Sequence, residues 1–345
     1  MRAPSLERSA VKYCVYGLGS IGGHLAASLA AAGADVSVVA RGETLKAVRK
    51  YGVRVAVPDS DTYQSFTVPV SPDGRDFSAA DCVIVSVKAT ALQSIAGSLA
   101  EMIGPETTVL TAMNGVPWWF FDGLDTDLDA SRLDSVDPGG QMTRAVPSSQ
   151  VVGAVVHLSA SVLAPGVVRH AAGRRLIIGA PGGNASQAHR IEKLQRDLTK
   201  SGFDVEISAQ IQTDVWYKLW GNMSLNPVSA LTGATTDRIL ADPHLRGFVS
   251  RCMSEAGDVG SRLGISIQQK PEDRLLLTQQ LGAITPSMLQ DAKAGRPIEL
   301  DALVGAVVEI GRELSVPTPN IDALLGLSRV RGEQQGLYPV RTTHP

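Results

Sequence analysis

Lys218, Asn222 and Asn226 recur at four-residue steps. In a helix, successive members of such a series are offset by about 40°, so all three lie on one face. Their neighbours Trp216, Leu219, Trp220, Met223 and Leu225 are apolar. A helix this apolar should be largely buried. An ammonium and two amides on its face would then be costly unless partners satisfy them, and a polar substrate is the economical partner. An ammonium and two amides so placed could line a substrate cleft, or could instead face solvent or stitch helices together.

A second set of residues points to a phosphate-bearing cofactor. Gly17, Leu18, Gly19, Ser20, Ile21 and Gly22 form a G-x-G-x-x-G run between an apolar strand-like segment, 11–16, and an Ala/Leu-rich segment, 21–32. In this context the first glycine permits a tight turn and the second admits a pyrophosphate. The third lets helix and strand pack closely. The end of the next strand, 35–40, carries Arg41 where NAD-binding units usually carry an acid. A guanidinium fork suits a 2′-phosphate, so NADP(H) is the expected cofactor, although Glu43 two residues on could bond a ribose. Lys88 and Asn114 follow the apolar segments 81–87 and 108–112. Both fall at carboxyl ends of predicted strands, where open α/β sheets bind ligands, and are assigned to the cofactor.

Two further candidates have simple local readings. Ser287 and Gln290 have the spacing of a capping box at a helix start. Glu299 follows Pro297 at the start of another predicted helix, where an acid suits the dipole.

These residues need a scaffold. Strands alternate with helices through the first part of the chain, which predicts a doubly wound parallel sheet of Rossmann type. Segments 53–57 and 65–70 read as a side hairpin, and 151–162, 167–170 and 176–179 as antiparallel strands around a Pro165-Gly166 turn. The polar stretch 122–147 reads as a long excursion or loop. After Ala209 strand signals nearly vanish, and helices are expected at 213–231, 243–263, 271–281, 287–294 and 299–314. The expected division is a disordered extension at 1–10, an NADP-binding domain at 11–209, an all-α substrate domain at 210–330 and a tail at 331–345.

Composition narrows the function. The chain has 345 residues, a 44% hydrophobic and 19% charged content, and a formal net charge of −2. That net charge does not suggest a sequence-independent grip on nucleic acid, which would need a basic face, and no apolar run is long enough to span a membrane. Three cysteines, Cys14, Cys82 and Cys252, lack C-x-x-C spacing. They read as buried reduced thiols, which fits a cytoplasmic setting. The histidines show no metal-ligand spacing, so no metal is expected.

Together the GLGSIGG run, Arg41, Val87-Lys88-Ala89, Asn114-Gly115-Val116, the Lys218/Asn222/Asn226-Pro227 helix, Ser287-Met-Leu-Gln-Asp291 and Glu299 resemble the ketopantoate reductase (2-dehydropantoate 2-reductase) family. The resemblance spans 11–327 in the family's order. It implies a Rossmann-like domain followed by a helical domain, and NADPH-dependent reduction of ketopantoate to pantoate in pantothenate biosynthesis. By position it implies Lys218 as general acid, Glu299 as a catalytic and substrate-side acid, and Asn222, Asn226 and Ser287 as substrate contacts, Ser287 near the carboxylate. The expected partners are a small 2-oxo acid and a second copy of the chain in a homodimer. The sequence departs from the pattern at Ile284, three residues before Ser287, and in the aromatic run 117–121. These departures leave open a different 2-oxo acid. A non-catalytic NADPH sensor is a further alternative, against which Lys218 and Glu299 argue.

Overall fold

The computed structural model describes residues 11–126, 128 and 132–340. The expected extension at 1–10 lies outside them. Two compact units account for the described residues. One comprises Met1–Val87, Ser94–Met113 and Arg144–Ala209, the other Lys88–Gln93, Asn114–Thr143 and Gln210–Pro345. The chain therefore passes between units after Ala209, where the sequence suggests a boundary, and also around the segments that carry Lys88 and Asn114.

The first unit is built on strands β1 (Lys12–Tyr16), β2 (Asp35–Val39), β3 (Val53–Ala56), β4 (Tyr63–Phe66), β5 (Val70–Ser71), β6 (Cys82–Val85), β7 (Thr108–Thr111), β8 (Val151–Ala164), β9 (Val167–Gly179) and β10 (Asp204–Ile207). They form one sheet in the order β4-β3-β9-β8-β7-β6-β1-β2-β5, with β10 on β9. From β5 to β8 the pairing is parallel, with Val15 opposite Val38 and Ile84. Every residue of β6 and β7 is buried, as near-continuous apolar runs in a covered parallel sheet require. The strands β8 and β9 make a long irregular antiparallel hairpin, and β3 joins β9 in parallel while pairing antiparallel with β4.

Helix α1 (Ser20–Ala31) buries Leu25, Ala26 and Leu29 in the same core as Val15, Val38, Ile84 and Leu110. The helices α2 (Gly42–Tyr51), α3 (Leu92–Met102) and α4 (Gln141–Ala145) follow. So does α5 (Ala188–Lys200), which buries Ile191, Leu194 and Leu198 at three- and four-residue spacing. The imidazole of His24 on α1 stacks on His170 at 4.6 Å and meets Phe203 edge-on. Burial, and then the His170 and Arg174 charges, lower its pKa to about 4. The unfolded chain titrates near 6.5, so this contribution to stability is whole above about pH 6.5 and is lost as pH falls toward 4. The melting temperature of the wild type should thus fall more steeply across that window than that of His24→Leu. Parallel pH profiles would refute the assignment.

The second unit is helical. It contains α6 (Ile211–Thr232), α7 (Thr236–Ala241), α8 (Pro243–Arg262), α9 (Pro271–Gln280), α10 (Ser287–Lys293), α11 (Ala306–Glu313) and α12 (Pro319–Gln334), with a π-helical stretch, Asp301–Gly305, leading into α11. The long α6 continues through Pro227 and ends at Gly233, whose φ of 72° is the left-handed conformation of a helix C-terminus. The start of α8 is fixed by Pro243 and by the Asp242 carboxylate, which accepts from the His244 and Leu245 N–H groups.

Several expectations need correction. The 122–147 stretch is not one loop. A 3-10 turn at Pro138–Gly140 leads into α4, and the buried Asp137 carboxylate accepts from Met142 N and Thr143 N at 2.8 and 2.9 Å. The chain beyond 330 is not a tail as far as 340: α12 runs to Gln334, Leu337 and Tyr338 are buried, and the Tyr338 hydroxyl donates to Asp301 at 2.7 Å. Residues 341–345 lie outside the described part. Helices α2, α7 and α12 were not anticipated from the sequence. No described helix is long and apolar enough to cross a membrane, and no group of metal-ligating side chains occurs among the described residues. All three cysteines are buried free thiols.

Candidate active site

In the first unit the chain leaves β1 through Gly17, with φ +99°, and enters α1 at Ser20. Gly17 and Gly22 are explained by the protein itself. A Cβ on Gly17 would stand 2.7 Å from Val87 Cγ1, and one on Gly22 would stand 2.1 Å from the Gly17 carbonyl oxygen and 2.2 Å from Ser86 Oγ. Gly19 is different. Its φ is −75°, which any residue can adopt, and nothing lies within 4 Å of where a Cβ would be. Neither backbone nor packing demands glycine there. A glycine there leaves room for close approach by a ligand, and the turn fits a pyrophosphate. Gly19 also gives α1 no side-chain cap, and the first turn holds no acid, which leaves an anion-favouring amino terminus.

Arg41 is the exposed residue before α2, and its guanidinium makes no hydrogen bond or ion pair among the described residues. Glu43, its rival for a ribose, is bonded to Lys46 at 2.7 Å in an exposed pair.

The remaining candidates come together in the second unit. From α6, Lys218 Nζ donates to Asn114 Oδ1 at 2.7 Å. The next residue, Gly115, has φ +85°, and a Cβ there would meet the Ala302 carbonyl oxygen at 2.6 Å. That contact and the bond from Val116 N to Ala302 O at 2.9 Å hold the Asn114 turn against the π-helical stretch. Burial lowers the Lys218 pKa to about 8, against the Glu299 charge, which raises it. Burial likewise raises the pKa of Glu299, whose Oε1 accepts from Ala89 N at 2.9 Å. The lysine thus holds a proton at neutral pH yet gives it up more readily than an exposed lysine.

Further along α6, Asn226 is only 6% exposed, and Asn222 is half-buried. Neither amide has a hydrogen-bond partner among the described residues, so each has donors and an acceptor to offer a bound molecule. Ser287 is exposed on the first turn of α10, which packs against α6. It does not form the expected capping box. Pro286 takes the cap position, so Ser287 lies inside the helix, and Gln290 Nε2 donates to Thr285 O at 2.9 Å instead. Its hydroxyl is thereby released from a structural role.

Asp291 is the residue sequence reasoning undervalued. It is buried, and its carboxylate pairs with Lys88 through one oxygen and with Arg296 Nε at 3.0 Å through the other. Lys88 Nζ also reaches the Pro297 carbonyl at 3.4 Å. The available signal was an acid four residues after Ser287, one turn along the same helix face.

The aromatic run is largely core. Trp118, Trp119, Phe120 and Phe121 are buried, and Phe120 packs on Trp216 of α6 with ring centroids 5.7 Å apart. Ile284, by contrast, is 37% exposed.

Models of two family regions match this sequence: ketopantoate reductase PanE/ApbA over residues 13–119, and its C-terminal region over 210–332. A 2-dehydropantoate 2-reductase of Mesorhizobium japonicum is 39% identical over 329 residues, covering 95% of this chain and 100% of that protein. The chain belongs to the ketopantoate reductase family. A Ralstonia solanacearum structure with a provisional assignment as a ketopantoate reductase is 47% identical, with a TM-score of 0.90 over 96% of this chain and 100% of that one. The fold extends to more distant proteins. The structure of D-mandelate dehydrogenase with NADH and anilino(oxo)acetate is 18% identical, with a TM-score of 0.81 over 95% of this chain and 100% of that one. As a family member the chain is an oxidoreductase with a Rossmann-like unit and a helical C-terminal region.

Proposed function

We propose that this enzyme reduces a 2-oxo acid with NADPH, that ketopantoate is the substrate, and that Lys218 is the general acid. The observation that carries the reading is the Lys218–Asn114 contact: a half-buried ammonium, oriented by an amide oxygen at 2.7 Å and held near pKa 8. When bound, the dinucleotide supplies the hydride. Lys218 then donates its proton to the oxygen at C2, where negative charge gathers. Asn114 fixes the direction of that N–H. Glu299 steadies the lysine charge from nearby and is itself held by Ala89 N. Asn222, Asn226 and Ser287 are assigned to the oxo acid, with Ser287 on its carboxylate. The Gly17–Gly22 turn is assigned to the pyrophosphate, and Lys88 and Asn114 keep their assignment to the cofactor. Steady-state reduction of ketopantoate by NADPH tests the proposal. No turnover with ketopantoate, beside turnover of another oxo acid, would remove the substrate while leaving the chemistry.

The exposed Ile284 favours a second reading in which a bulkier or more apolar oxo acid is preferred. Comparing kcat/KM for ketopantoate with that for branched and aromatic oxo acids separates the two.

Arg41 carries the cofactor preference, because nothing else among the described residues engages its guanidinium and Glu43 is spent on Lys46. The Arg41→Asp variant should raise KM for NADPH by at least about tenfold relative to that for NADH, the loss of a charge-assisted contact. An unchanged ratio would refute the 2′-phosphate assignment.

A further inference from the structure

We propose that the first unit carries a second small-molecule site, at the amino-terminal ends of β1, β6 and β7, that binds a small zwitterion of the free amino-acid class. This inference is independent of the proposed reaction. The Gly17 turn leaves the carboxyl end of β1, whereas this cavity, of about 200 Å³, lies where the strands begin.

Its floor is made by Tyr13, Cys82 and Thr108, each nine-tenths buried or more. The Tyr13 hydroxyl is occupied, donating to Asp197 at 2.6 Å. Thr108 lines the cavity and its hydroxyl makes no hydrogen bond among the described residues, so it can bond a molecule that enters.

The walls carry both signs of charge. The acids are Asp81, which precedes β6 and accepts from Lys12 N at 2.9 Å, and Glu106, which precedes β7. The bases come from the first turns of α5. Arg190 is already committed, donating to Ser149 O at 3.2 Å and Pro105 O at 3.1 Å with Glu106 at 3.7 Å. Lys193 is not. Its ammonium makes no hydrogen bond or ion pair among the described residues, and its charge is felt at the Cys82 thiol on the floor. A simple anion drawn to Lys193 would also meet two carboxylates, and a simple cation drawn to Asp81 would meet Lys193 and Arg190. A molecule with both charges, its carboxylate toward Lys193 and its ammonium toward Asp81, satisfies both signs and can bond Thr108.

Calorimetry on the whole enzyme tests this with glycine and alanine as probes, against acetate, methylammonium and inorganic phosphate. The amino acids should bind with millimolar affinity, and each singly functional ion at least about tenfold more weakly, since it forgoes one charge-assisted contact. The Lys193→Met variant should lose amino-acid binding while keeping its melting temperature, and Lys193→Arg should retain it. The signal should persist in Lys218→Ala, which separates this site from that of the oxo acid. The proposal is overturned if the amino acids give no heat of binding, if acetate or phosphate binds as well as they do, or if Lys193→Met binds them undiminished.

Discussion

Replacing Lys218 by alanine should lower kcat for oxo-acid reduction by about 10²–10⁴-fold, the range for loss of a positioned acid, and leave dinucleotide affinity within about twofold. The contrast follows from where the residue stands. Its proposed part is proton donation to the oxo acid, whereas the pyrophosphate is assigned to the glycine turn, in the unit that does not hold Lys218. The pH profile gives an independent readout. In the proposed reaction the ammonium is the active form, and burial holds its pKa near 8. The rate of reduction should therefore fall as pH rises through about 8, well below the ordinary lysine range. Lys218→Arg keeps a cation that does not titrate there, so that alkaline limb should disappear at a much lower rate. If Lys218→Ala reduces ketopantoate at the wild-type rate, the assigned mechanism is wrong.

The second large effect separates two glycines three residues apart. Gly22→Val forces a side chain onto the Gly17 carbonyl and Ser86 Oγ, both closer than 2.3 Å to where its Cβ must stand. Backbone has to move, which should lower the melting temperature by about 5–10 °C and abolish dinucleotide binding. At Gly19 an added Cβ has no protein atom within 4 Å, and Gly19→Val needs no unusual φ. It should leave the melting temperature within about 1 °C and still weaken NADPH by at least about tenfold, because the side chain fills the ground the pyrophosphate takes. Paired melting curves and cofactor titrations check both. Normal NADPH binding in Gly19→Val would show that the second glycine serves no ligand.

Most of the scaffold could be read directly because its signals are local. An apolar strand, a glycine turn, an Ala/Leu helix and the all-buried Cys82–Val85 strand each declare themselves within a dozen residues. The four-residue rhythm of Lys218, Asn222 and Asn226 likewise identifies one helix face without a fold. What stayed hidden depends on contacts between distant segments. Helix α12 has polar and apolar residues scattered around its circumference and is secured by burying Ile321, Leu324 and Leu325 and by Glu255, which accepts from Asn320 N and Ile321 N. The pairing of Asp291 with Lys88 spans two hundred residues of chain and leaves no local trace. Ser287 shows the reverse failure. Its spacing to Gln290 satisfied a local rule, but the proline before it already filled the cap position.

The assignment of Asn114–Thr143 to the helical unit bears on how this protein could be divided or inherited. A fragment ending at Ala209 would retain Phe120 without the Trp216 ring it packs on, and Asp122 without the Gln212 side chain that donates to its carbonyl at 2.7 Å. The helical remainder would lack Asn114, the partner of its own lysine. Neither half is a portable module. Exchange of a whole nucleotide-binding piece between relatives would have to carry these inserted segments with it or rebuild them, so cofactor preference is more readily altered at single positions such as Arg41 than by recombination at one joint.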